Sequence, residues 1–192
     1  MPVLLTNQEA VQRTLTPLSP SPGFTGTAEL NTSEFFFYSN SPETLDSSDL
    51  ADNGKFLNRV SVTGRGQIYT WHHNNVGRTI KNSILIYNSN SFPVKVSVSN
   101  YGKTNTSNTG APDVDAWKSY YDGTSTSVTV AAGGYGNLFL TDIPNRNNFG
   151  IIARVNVTNS NTSAAATVTM FDLAYISNSG GGTAFATPDP AS

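Results

Sequence analysis

Apolar residues in this chain recur at every second position, in short runs separated by polar breakers. Successive side chains of a strand point to opposite faces, so such alternation marks a strand with one buried face. Segment 92–99 (FPVKVSVS) puts Val94, Val96 and Val98 on one side. Segment 56–63 (FLNRVSVT) aligns Phe56, Asn58, Val60 and Val62, and 67–73 (QIYTWHH) sets Ile68, Thr70 and His72 opposite Tyr69, Trp71 and His73. Segment 82–87 (NSILIY) is more continuously apolar and reads as a central strand. Further strands are predicted over 34–38, 125–131, 135–141, 149–157 and 165–176, with a last short one over 183–187. The NSNS at 88–91 reads as a hairpin loop. No ten-residue stretch carries a helical period.

Nine or ten strands of this kind bury their apolar faces most simply as an all-β, antiparallel two-sheet sandwich of jelly-roll or Greek-key type. Alternation assigns Val60, Val62, Ile84, Ile86, Val94, Val96, Val98, Val128, Val130, Leu138, Leu140, Ile152, Val168 and Phe171 to its core.

Composition agrees. Of 192 residues, 22 are Ser, 23 Thr and 21 Asn, while good helix formers such as Glu (4) and Lys (5) are scarce. Charged residues are 12%, about half the usual share. The eleven basic side chains are scattered singly, which speaks against nucleic acid and against an anionic membrane surface. No run of 18 apolar residues occurs, so no membrane insertion is expected. A near-neutral surface of small polar residues repels its own copies weakly and permits a homo-oligomer or polymer. There is no cysteine, hence neither disulfide nor thiolate metal site.

Residues 1–26 differ from the rest. Pro17, Pro20 and Pro22 favour extended backbone, and Val3, Leu4, Leu5, Leu15, Leu18 and Phe24 are too apolar for a solvated tail. The segment reads as an extended N-terminal arm able to dock along a strand edge, followed by a sandwich over 27–187 and a tail over 188–192. Its start lacks the basic and apolar regions of a Sec signal.

The residues that carry chemistry form no recognisable catalytic motif. His72 and His73 are adjacent, so in a regular strand they face opposite ways and cannot share one metal. Asp113, Asp115 and Asp122 resemble a calcium loop only faintly. Glu34 and Asp172 are the conceivable pair for glycoside hydrolysis. Lys81, Lys95 and Lys103 lie in or near strands, where an isopeptide bond to Asn would form, but no spacing selects a pair. The expectation is no catalytic residue, no metal and no cofactor. Trp117, Tyr120 and Tyr121 (AWKSYYDG) form either a ligand platform for carbohydrate or a loop pinned by its aromatics.

The series GQIYTWHH at 66–73, NSILIYN at 82–88, PVKVSVS at 93–99, VTVAA at 128–132 and the Leu138–Phe139 pair resembles the β-sandwich region of secreted or surface proteins of Gram-positive, often spore-forming, bacteria. Some of these are described as copper amine oxidase-like N-terminal (stalk) domain proteins. The resemblance spans about 66–176 and implies an envelope, spore or extracellular role rather than amine oxidation, for which copper would need a third His. The expected function is a structural, self-associating subunit of a bacterial surface assembly, with subunit contacts through the arm. The alternatives are a non-catalytic carbohydrate-binding module and a viral jelly-roll capsid or fibre protein.

Overall fold

The computed structural model describes residues 33–50, 54–107 and 114–176. The arm at 1–26, the strand expected over 183–187, the tail and Asp113 lie outside these residues. Eleven strands are described: β1 (Phe35–Ser39), β2 (Thr44–Leu45), β3 (Gly54–Thr63), β4 (Arg65–Asn74), β5 (Ile80–Tyr87), β6 (Val94–Thr106), β7 (Thr126–Val130), β8 (Tyr135–Asn137), β9 (Thr141–Ile143), β10 (Asn148–Asn159) and β11 (Thr167–Tyr175). One α-helix, α1 (Val114–Tyr121), lies between β6 and β7, and a single 3-10 turn, Ser47–Leu50, precedes β3.

The chain is an all-β two-sheet sandwich. The first sheet runs β1-β4-β10-β6-β7, with β2 also on β4; the second runs β3-β11-β5-β8, with β9 also on β5. Counting β3 to β11 as eight successive strands (β8 and β9 sharing one position), the second sheet holds the first, eighth, third and sixth. The first sheet holds the second, seventh, fourth and fifth. This is jelly-roll order. The pairings within this roll are antiparallel, but β1 and β2 join β4 in parallel.

Most connections therefore cross between sheets. β3 passes into β4 through Gly64 alone, which takes the left-handed φ of 67° that a side chain would strain. The NSNS segment is not a hairpin loop: β5 lies in the second sheet and β6 in the first. Local composition signalled a turn, but the strands it joins pair with β11 and β10 instead.

The main core lies between the sheets. It includes Phe37, Val62, Ile68, Ile84, Ile86, Val94, Val96, Val98, Val130, Val155, Val157, Val168 and Met170, with Val128 and Leu138 partly buried against it. Four expected core positions differ. Ile152 is buried but not in this cluster. Val60 is exposed on β3, which among the described strands pairs with β11 only. Leu140 is 48% exposed and Phe139 is buried in its place, because the predicted strand over 135–141 is interrupted between β8 and β9, whose registers on β5 differ by one residue. Phe171 is buried on the outer face of the second sheet, with Leu85 and Leu173 against Phe56, Tyr87, Tyr135 and Tyr175. Phe56 reaches that outer face because the β3–β11 register shifts between Asp172 and Leu173. The extra residue, Leu57, turns Phe56 away from the face of Val62.

Candidate functional site

On the first sheet, Phe37, Ile68, Ile151 and Val155 point inward, so alternation turns Glu34, Phe36, Tyr38, Arg65, Tyr69, Arg154 and Asn156 outward. Tyr38 and Tyr69 are register partners, their rings stacked at 5.8 Å and 12°. Phe36 stacks on Tyr38 at 5.9 Å and 21°. Phe36 is 61% exposed and Tyr38 49%. These rings ladder across an edge, since among the described residues β1 pairs with β4 only. Sequence reasoning read EFFFY as a strand but assigned its outward rings no role. The available signal was aromatic residues at both parities, which one core cannot bury.

A cleft of about 470 Å³ opens at the other end of the same strands. Glu34, Arg65, Arg154, Ser97, Ser99 and Asn156 line it. The β6–β10 register pairs Val155 with Val98 and Arg154 with Asn100, which leaves Ser99 as a bulged residue without a partner.

Helix α1 carries the predicted aromatic group. Trp117 and Tyr121, four residues apart, share a helix face and stack at 5.9 Å and 23°. Tyr120 meets both edge-on. Trp117 is 36% exposed and Tyr121 76%. Ala116 pins the segment, lying so close over Gly102 of β6 that a Cβ there would stand 1.7 Å from the Ala116 carbonyl oxygen, and Tyr120 is half-buried. The Asn100 amide also donates to the Tyr120 carbonyl at 3.0 Å.

One buried cluster contains Ser, His and Asp. His72 and Asp172 are fully buried, and Ser39 nearly so. His72 Nε2 lies 3.0 Å from Asp172 Oδ2 and 3.2 Å from Ser39 Oγ, while Nδ1 faces the Pro42 carbonyl oxygen at 2.7 Å. The Asn82 amide donates to Asp172 Oδ1 at 2.7 Å. A hydrolytic triad needs the nucleophile and the carboxylate on different ring nitrogens, with the nucleophile open to substrate. Here both share Nε2, Nδ1 is occupied, and nothing reaches solvent. The cluster ties β4 of one sheet to β11 and β5 of the other.

The remaining sequence candidates do not converge. His73 faces away from His72 and contacts Asn148 Oδ1 through Nδ1 at 3.0 Å. Asp172 is sealed inside while Glu34 lines an outer cleft, so the two carboxyls do not share a substrate cleft. Lys81 forms a surface ion pair with Asp142, which raises its pKa through that hydrogen bond; Lys95 and Lys103 are exposed. Asp122 pairs with Lys118 at 3.1 Å, and Asp113 lies outside the described residues. Among the described residues, no group of three or more His, Asp or Glu is placed to hold a metal ion. The arm residues Val3, Leu4, Leu5, Leu15, Leu18 and Phe24 also lie outside.

Fold and surface together define an all-β jelly-roll sandwich with exposed aromatic patches. No protein-family model matches the chain, and no curated protein matches it.

Proposed function

We propose that this chain is a structural, self-associating subunit of a bacterial surface assembly, such as an appendage, filament or spore layer, in which the N-terminal arm of one copy docks on the next. The observation that carries the reading is the edge strand β1. Soluble sandwiches usually blunt an open edge with charge, proline or a bulge. Here the edge presents Phe36 and Tyr38, stacked and exposed, and no described strand other than β4 pairs with it; the Asn58 side-chain amide donates to the Tyr38 carbonyl at 2.6 Å and leaves the edge open to a further strand. An apolar arm such as 1–26 suits that edge: Val3–Leu5 supplies strand hydrogen bonds, and later apolar residues cover the rings. A head-to-tail contact that does not close gives a filament. The scarcity of charge favours the same packing.

Deleting residues 2–22 tests the reading by sedimentation and negative-stain microscopy. The expected result is a soluble monomer with unchanged circular dichroism. A Phe36→Ser, Tyr38→Ser double variant retains the arm and should also lose polymer. Unchanged assembly in both variants, or a wild-type chain monomeric at high concentration, overturns the proposal.

A second reading, a carbohydrate-binding module, rests on α1. Trp117 and Tyr121 offer a stacked, exposed aromatic surface of the kind that sugar rings cover. Quenching of Trp117 fluorescence by neutral oligosaccharides, absent in Tyr121→Ala, is its test. The jelly-roll order, which capsid and fibre proteins share, chooses among none of these functions.

A further inference from the structure

The cleft on the outer face of the first sheet is a second kind of surface, independent of the aromatic edge. Register places Arg65 of β4 opposite Asn156 of β10, and Arg154 opposite Gln67. The two arginines are therefore diagonal neighbours, with side-chain origins about 7–8 Å apart. Glu34 adjoins Arg65, since the next pair along is Phe35 and Gly66. Neither guanidinium makes an ion pair or hydrogen bond among the described residues. Elsewhere in this charge-poor chain, Lys55, Lys81 and Lys118 each have a carboxylate partner.

The floor has its own character. Val98 and Val155 point into the core, so what they present to the cleft is main chain. Beside them the bulge at Ser99 interrupts the ladder. Ser97 and Asn156 are register partners on the same face.

We infer that this cleft binds an acidic saccharide, with a uronate carboxylate held by Arg65 and Arg154 and the ring hydroxyls by Glu34, Ser97, Ser99 and Asn156. Paired guanidiniums match a planar carboxylate through parallel N–H···O bonds. Inorganic phosphate would bring nearly two negative charges beside the Glu34 carboxylate, whereas a uronate brings one and has ring hydroxyls that donate to Glu34. The volume of about 470 Å³ accommodates one to two sugar rings, and the opening lets a longer chain pass across the sheet.

The test is an amide chemical-shift titration of the full chain with trigalacturonate, trigalactose and inorganic phosphate in parallel. Saturable shifts at Ser97, Ser99 and Asn156 with trigalacturonate alone are expected. Arg65→Ala and Arg154→Ala should each weaken binding at least tenfold, and Arg154→Lys should recover only part, because lysine lacks the planar fork. Both positions are exposed, so thermal midpoints of the three variants should match wild type. Equal shifts with trigalactose, equal shifts with phosphate, no saturable shift, or undiminished binding by both alanine variants would each overturn the inference.

Discussion

Asn88 is fully buried, and its amide nitrogen stands 2.8, 3.1 and 3.0 Å from the carbonyl oxygens of Phe92, Val130 and Ala131. Its own oxygen accepts from Asn90. Asn74 serves the opposite crossing, reaching Arg78, Ile143 and Pro144 and accepting from Val76. A sheet-to-sheet crossing strands backbone groups away from any ladder, and buried polar groups left unpaired are costly. A short amide satisfies donors and acceptors there at once. The His72–Asp172 cluster does the same between the sheets. Asp172→Ala and His72→Ala should each lower stability by about 3 kcal/mol or more, because each strands a buried partner. Urea denaturation of the singles and the double checks this, and the double should cost clearly less than the sum. At the surface, the Lys55 ammonium beside Asp49, 2.7 Å away, holds that carboxyl below its ordinary pKa, with help from the Asp46 amide. A lowered folded pKa stabilises above the ordinary value and is lost as pH falls through the lower one. Asp49→Asn should therefore flatten the acid limb of stability against pH. The change should be no more than about 1 kcal/mol, because the pair is partly solvated.

Strands covered on one face were legible, and strands covered on both faces were legible only in part. β6 alternates without exception from Val94 to Val98, and those valines are buried as expected. β5 and β11 are buried on both faces over most of their length. Parity then no longer says which face a residue takes, and Phe171 was expected in the wrong layer. Bulges act in the same way. One extra residue at Leu57 or Ser99 reverses the sense of alternation along its strand, and nothing in FLNRVSVT or VKVSVSN announces it. Leu138–Leu140 shows a third failure, where a break in the strand turns Phe139 inward. Phe139→Ala should cost about 3–5 kcal/mol, whereas Leu140→Ser should stay within about 0.5 kcal/mol, measured by chemical denaturation. The reverse order would restore the alternating strand read from the sequence. Helix α1 escaped notice because its one turn of burial, Ala116 on Gly102, leaves no amphipathic stripe to read.

The whole molecule closes without any cross-link or metal centre among the described residues. Its two sheets are held by one apolar core, a second cluster around Leu45, Leu50, Ile80, Ile143 and Phe149, and the buried polar contacts. Millimolar Ca²⁺ and excess chelator should therefore give thermal midpoints within about 1 °C of each other. A rise of several degrees with Ca²⁺ would assign a site to the 113–122 segment that carries Asp115 and Asp122.

The sequence by itself determined the class of fold, the limits of most strands and the valine and isoleucine rows of the core. Each of these depends on a residue and its near neighbours, through alternation, turn chemistry and burial. It also brought Trp117, Tyr120 and Tyr121 together, because they lie within one helical turn or so of each other. Tertiary structure alone decided the jelly-roll order, the crossing at 88–91, and the faces to which Phe56 and Phe171 turn. It alone set Arg65, some ninety residues from Arg154 in the chain, beside it on one cleft, and closed His72 onto Asp172 across the two sheets. Those placements follow from which strands pair and in what register. Pairing is a competition among all edges at once, so no local stretch of chain contains its outcome.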